Sequence, residues 1–223
     1  MPIGHRQSVP THPRFVSLEG GEGAGKTTVL NALVEALQAQ GHDVVRTREP
    51  GGTPLAEMIR TLLLDPAHEP PAPETELLLM FAARAQHVRE TIRPALERGA
   101  WVVSDRFTDS SYAYQGGGRG LDRDLIAELE RRVVGLQPGL TLLLDVAVAQ
   151  GRERARGRDL AFAGPGPDRI EGERDEFFER VRATYRARAA AEPGRFRIID
   201  ASQPAQRVAA DATAQLQAWC RQQ

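Results

Sequence analysis

Five short apolar runs punctuate the chain, at residues 15–19, 43–47, 101–104, 140–146 and 196–199. Each has the length and the polar or turn-forming flanks of a β-strand. Between them, apolar residues recur at helical spacing over about 27–40, 54–64, 74–98, 122–135, 147–157, 170–191 and 204–221. Strands that alternate with helices predict parallel pairing through right-handed crossovers. Leu142-Leu143-Leu144, apolar without alternation, predicts a sheet covered on both faces. The expected architecture is a three-layer α/β/α fold on a five-stranded parallel sheet. Proline and glycine mark two long connections, 65–73 and 157–168. Residues 1–13 carry Pro2, Pro10 and Pro13 and no apolar stretch, so they read as a flexible tail, neither signal peptide nor strand. That leaves 14–223 as one domain.

The first strand runs into Gly20-Gly21-Glu22-Gly23-Ala24-Gly25-Lys26-Thr27-Thr28, and helical periodicity begins at its end. Strand, glycine-rich turn and helix form the context that a phosphate-binding loop requires. Glycines let backbone N–H groups turn inward, and the helix N-terminus adds partial positive charge. Lys26 would reach the β- and γ-phosphates, and the Thr27 hydroxyl would hold Mg²⁺. Lys26 is also the only lysine among 29 basic residues. A compact ammonium where every other basic position is a planar guanidinium points to a narrow site.

A net charge of −1 gives no global pull toward nucleic acid or anionic membrane. No apolar run reaches the roughly 18 residues of a membrane span. One cysteine, Cys220, excludes an internal disulfide framework and fits a reducing, cytoplasmic setting. The five histidines show no ligand-like clustering with cysteine.

Several groups fall beyond the strands' carboxyl ends, where ligands bind in such sheets. Asp105-Arg106 follows the third strand. It is either a helix cap with a first-turn arginine or a Mg²⁺-binding acid beside a phosphoryl-stabilising base. Asp145, ending another strand, carries less weight because such strands commonly end in Asp. Arg152-Glu153-Arg154-Ala155-Arg156-Gly157-Arg158 reads as a salt-bridged helix face or as a mobile lid, and its position after a strand favours the lid. Thr53-Pro54 reads as N-cap and N1 of a helix bearing Arg60. Arg84, flanked by Met80, Phe81 and alanines, is a solvent-edge residue or a ligand fork. Ser110-Ser111-Tyr112-Ala113-Tyr114-Gln115 leads into Gly116-Gly117-Gly118, a set able to read a base edge or simply a loop.

Together these segments resemble the bacterial thymidylate kinases, whose order and spacing are shared by the phosphate loop, Thr47-Arg48-Glu49-Pro50-Gly51-Gly52-Thr53, Phe81-Ala82-Ala83-Arg84, Ser104-Asp105-Arg106-Phe107, Ser110 to Gln115 and Asp168-Arg169-Ile170-Glu171. The resemblance runs from about residue 14 to the C-terminus. It implies a P-loop NTPase fold with an arginine-rich lid at about 151–170, a cytoplasmic homodimer, and phosphorylation of dTMP by ATP with Mg²⁺. It further implies that Gly20 to Thr28 bind ATP, with Thr27 and Asp105 at the metal and Lys26, Arg106 and a lid arginine on the transferring group. Gly23 stands where some members carry a catalytic arginine, so the lid supplies it, Arg156 first and Arg154 second. Glu22 would face the dTMP sugar. Glu49, Arg60 and Arg106 would approach its phosphate, and Arg84, Ser111 and Gln115 would read the thymine. Tyr114 would crowd the 2′ position. Met80 or Phe81 would lie against the base, and Asp200 to Pro204 would flank adenine.

Two other readings compete. One is a kinase for UMP, CMP or AMP, separable by rates on a panel of monophosphates. The other is a nucleotide-hydrolysing switch or partition protein. The lone lysine leaves none for an Asn-Lys-x-Asp base-reading motif or for a second lysine in the loop.

Overall fold

The computed structural model describes residues 9–161 and 168–223. Its strands are β1 (Thr11–Gly20), β2 (Val44–Arg48), β3 (Trp101–Asp105), β4 (Gln137–Asp145) and β5 (Phe196–Asp200). All pair in parallel in the order β2-β3-β1-β4-β5. β1 is central, so the loops after β1 and β3 lie side by side at the point where strand order reverses. The helices are α1 (Lys26–Gln38), α2 (Pro54–Leu64), α3 (Pro73–His87), α4 (Arg93–Glu97), α5 (Thr108–Ser111), α6 (Arg123–Leu129), α7 (Val148–Ala161), α8 (Asp175–Ala191) and α9 (Ala205–Cys220). Single π-helical segments, Val88–Ile92, Tyr112–Gly118 and Glu130–Val134, carry α3 into α4 and extend α5 and α6.

Strand periodicity decides which residues meet which layer. Val16 and Leu18 of β1, with Leu140, Leu142 and Leu144 of β4, pack under α1 and α9. The opposite face carries Phe15, then Ser17 and Glu19, all buried. Phe15 joins α3 and α4 in a second cluster, and Leu143 joins Phe177, Val181 and Tyr185 of α8 in a third. No helix of the described residues is long and apolar enough to cross a membrane.

The structure corrects three expectations. β1 begins at Thr11, so residues 11–13 of the expected tail are strand, with Thr11 and His12 paired to Gln137 and Pro138. The register then shifts between His12 and Val16, and Pro13, which has no N–H for a ladder, sits in that break. Residues 1–8 lie outside the described residues. α7 continues through Gly157 to Ala161, so the expected connection at 157–168 starts later; its residues 162–167 are also outside the description. Finally, Gly116 to Gly118 are helical. A Cβ on Gly117 would strike Thr184 and one on Gly118 the Phe177 ring, so these glycines allow α8 to pack closely. As expected, Thr53 caps α2, its Oγ1 accepting from the Ala56 N–H at 3.2 Å, with Pro54 next.

Candidate active site

The phosphate loop crosses from the last residue of β1 to the first of α1. Gly23 and Gly25 take left-handed φ of 64° and 86°, which glycine adopts without a Cβ penalty. A side chain at Gly23 would run into the Gly151 carbonyl at the start of α7. The loop therefore has no room for an arginine there. The half-buried Lys26 ammonium donates to the Gly21 and Gly20 carbonyls at 3.1 and 3.5 Å. Burial, then the Arg106 guanidinium, pushes its pKa down to about 8. An open cavity of about 570 Å³ is lined by Gly23 to Thr28 of this loop, by Asp105 and Arg106, and by Arg154.

Asp105 and Arg106 close β3. Among the described residues, Asp105 Oδ1 is shielded from solvent and accepts no hydrogen bond. A buried acceptor without a partner is costly, and a carboxylate beside the Thr27 hydroxyl in one cavity is a donor set that fits a hard cation. No group of three or more His, Cys, Asp or Glu among the described residues could hold a metal. Arg106 has φ +73°, a conformation that costs a non-glycine residue about 1–3 kcal/mol and clusters at functional sites. Its Nη1 donates to Gly20 O and to the Tyr185 hydroxyl, both at 3.1 Å, and Nη2 to the Tyr114 hydroxyl at 3.0 Å.

A second cavity, of about 170 Å³, adjoins the first; Lys26, Glu49, Arg60 and Arg106 border both. Arg84, 3% exposed, is the fork in its wall and no solvent-edge residue. Its Nε donates to Glu49 Oε2 at 2.6 Å, Nη1 to Ser111 Oγ at 3.0 Å and Nη2 to Phe107 O at 3.2 Å. Burial would raise the Glu49 pKa, but Arg84 and His87 override it and hold it below the ordinary carboxylate value. Met80 lines the cavity. Phe81, expected as an equal candidate, does not: it lies one helical turn from Leu77 in the core, with Arg84 over its ring at 4.8 Å. Tyr114, Ser111, Gln115 and Glu22 line the same cavity. Arg60 donates to Pro50 O at 3.0 Å.

Four further buried side chains, which no sequence motif contains, partner this site. His87 bridges Thr47 Oγ1 at 2.6 Å and Glu49 Oε1 at 3.0 Å. Glu76 accepts from Gln115 Nε2 at 2.8 Å and Arg169 Nη2 at 2.7 Å, joining the smaller cavity to the Asp168–Glu171 segment. Glu19 and Tyr185 stand behind Arg106. Only the Thr47-to-Thr53 motif hinted at His87, through Gly52, where a Cβ would meet that ring. Of the lid arginines, Arg154 is committed to the Ala201 and Ser202 carbonyls at 2.6 and 2.8 Å, on the expected adenine-side loop. Arg156 is exposed. Asp145 is ion-paired with Arg182 and Arg186 at 2.7 and 3.1 Å, a structural role.

A phosphate-cradling loop on the central strand, a carboxylate and a guanidinium beside it, and a walled cavity one residue's reach away define a phosphate-loop phosphotransferase with a nucleotide acceptor. The thymidylate kinase family model matches residues 18–212. The curated thymidylate kinase of Chromohalobacter salexigens is 57% identical over 208 residues, spanning 92% of this chain and 96% of that one. That of Alkalilimnicola ehrlichii is 58% identical over 199 residues, 89% of each. The crystal structure of thymidylate kinase from Ehrlichia chaffeensis superposes with a TM-score of 0.73 at 34% identity, covering 91% of this chain and 97% of that one. The chain belongs to the thymidylate kinase family.

Proposed function

We propose that this enzyme transfers the γ-phosphoryl group of ATP to dTMP, giving ADP and dTDP, by in-line attack without a covalent enzyme intermediate. The observation that carries the reading is the shared border of the two cavities, where Lys26, Glu49, Arg60 and Arg106 meet between the phosphate loop and the Arg84 wall. Catalysis rests on positioning and charge neutralisation rather than on acid–base chemistry. Gly20 to Thr28 take the donor phosphates, and Lys26 and Arg106 balance charge on the group in transfer. Thr27 and Asp105 would hold Mg²⁺, which when bound neutralises charge on the β- and γ-phosphates. Glu49 keeps Arg84 and His87 fixed while Arg60 and Arg106 face the acceptor phosphate. Arg84, Ser111 and Gln115 face the thymine against Met80, and Glu22 and Tyr114 border the sugar. Arg156 is the lid arginine, because Arg154 is already spent on backbone carbonyls.

We further infer a cytoplasmic homodimer. Leu55, Met58 and Leu62 recur along one side of α2 at 49, 67 and 52% exposure, and Leu78 of α3 is 56% exposed. An exposed apolar patch of this kind suits a two-fold interface, in which the same surface meets itself.

ADP release in the presence of ATP, Mg²⁺ and separate monophosphates tests the function. dTMP leads and UMP is poor; equal rates across the panel, or hydrolysis without any acceptor, would overturn it.

A further inference from the structure

Glu19, fully buried at the end of β1, takes no part in the transfer described above. Three donors converge on its carboxylate. The Phe107 N–H reaches Oε1 at 2.7 Å, and the Ser110 and Tyr185 hydroxyls reach Oε2 at 3.0 and 2.8 Å. Two of the three lead to Arg106. The Phe107 N–H belongs to the peptide that follows this left-handed residue, and the Tyr185 oxygen accepts from Arg106 Nη1 at 3.1 Å.

The remaining anchors of Arg106 each act on one end only. On the backbone, its N–H donates to Leu18 O at 3.0 Å and its carbonyl accepts from Ser104 Oγ at 2.7 Å. At the guanidinium, Gly20 O and the Tyr114 hydroxyl accept. Among these contacts Glu19 alone is linked to both ends. Burial, then the Asp109 carboxylate, pushes the Glu19 pKa up to about 7; above that pH Glu19 is ionised and acceptor-only, whereas a phenol both donates and accepts. Glu19 therefore draws the Tyr185 hydrogen toward itself and leaves that oxygen's lone pairs to the guanidinium. Remove the carboxylate and the phenol hydrogen is free to turn toward Arg106, donor against donor.

We propose that Glu19, acting through Tyr185 and the Phe107 amide, is a positioning residue that aims Arg106 at the transferring phosphoryl group. The proposal rests on Arg106 acting in transfer. A displaced guanidinium costs rate rather than substrate binding at the phosphate loop, since preorganised charge acts where charge develops.

Tyr185→Phe is the informative variant, because it keeps the ring in the α8 core and removes only the hydroxyl; Glu19→Gln tests the carboxylate itself. Each is measured alone and in an Arg106→Ala background, with kcat, ADP affinity and thermal midpoint as readouts. Tyr185→Phe should lower kcat about tenfold at unchanged ADP affinity in the otherwise intact enzyme, and less than about twofold once Arg106 is gone, because coupled residues are not additive. A poorly active Arg106→Ala enzyme in which Tyr185→Phe still costs its full factor overturns the inference alone. So does wild-type kcat in Tyr185→Phe. Wild-type kcat in Arg106→Ala overturns the transfer role of Arg106 and the inference together.

Discussion

Glu49, just past β2, and Arg84 of α3 meet at 2.6 Å inside the wall of the smaller cavity, 3% exposed each, although they are 35 residues apart in the chain. The pair is not isolated. Glu49 also bonds His87, and Arg84 also bonds Ser111 and stacks on Phe81, so this cavity-lining guanidinium is fixed before any ligand arrives. Such preorganisation moves the cost of aligning a polar group from the binding step to folding.

That arrangement makes Arg84 matter for stability as well as for binding. Arg84→Met takes the guanidinium from a buried carboxylate and leaves it only His87 of the partners named above, which should lower unfolding free energy in urea by about 3 kcal/mol. The sign of the pH dependence follows from the lowered Glu49 pKa. Its contribution is present above the ordinary value of 4.5 and is lost as pH falls through the lower folded value. Stability of the unmodified enzyme should therefore drop more steeply below pH 4.5 than that of Glu49→Gln. Parallel curves would remove Glu49 as the titrating group.

Lys26 gives a pH dependence of the opposite sense in activity. With its pKa pushed down to about 8, the free enzyme carries the ammonium below that pH and loses it above. kcat/KM for ATP should decline as pH rises through about 8, because this parameter reports the free enzyme. Bound phosphates favour the ammonium, so kcat should hold to higher pH. A flat kcat/KM up to pH 9.5 contradicts the assignment. Lys26→Ala should lower kcat by at least about 100-fold.

Sequence pattern carried the sheet, the phosphate loop and the motif-borne residues, because those depend on local periodicity and on contiguous chemistry. It carried much less of what holds the site. Tyr185 bonds Glu19 across 166 positions, and nothing in the α8 periodicity distinguishes this tyrosine from a core aromatic. Glu76 sits one turn into α3 and looks like an acid of the helix's first turn, yet it is the node for Gln115 and Arg169. Gly116 to Gly118 misled for the converse reason. Glycine runs signal loops from sequence, whereas here the missing side chains make room for Thr184 and Phe177.

The exposed face of α2 should be a contact between copies. Met58→Asp places a charge at its most exposed apolar position, 67% exposed, where a dimer would bury it unpaired. Sedimentation should show about twice the 24.4 kDa chain mass for the unmodified protein and the monomer mass for Met58→Asp. A monomer in both cases, or a dimer in both, removes this face as the interface.

The two lid arginines should separate cleanly. Arg154 is spent on the Ala201 and Ser202 carbonyls, so Arg154→Ala should weaken ATP binding and lower the thermal midpoint, by loosening α7 from the loop after β5. Arg156 is exposed, and Arg156→Ala should leave the thermal midpoint within about a degree, as surface substitutions do. It should nonetheless lower kcat by at least about 100-fold, the scale on which a guanidinium acts on a transferring phosphoryl group. The alternative position within the phosphate loop is closed sterically, so Gly23→Arg cannot substitute: its side chain starts inside the Gly151 carbonyl contact. Should Arg156→Ala turn over normally while Arg154→Ala loses kcat at unchanged ATP affinity, the catalytic arginine is Arg154, released from those carbonyls when the lid closes.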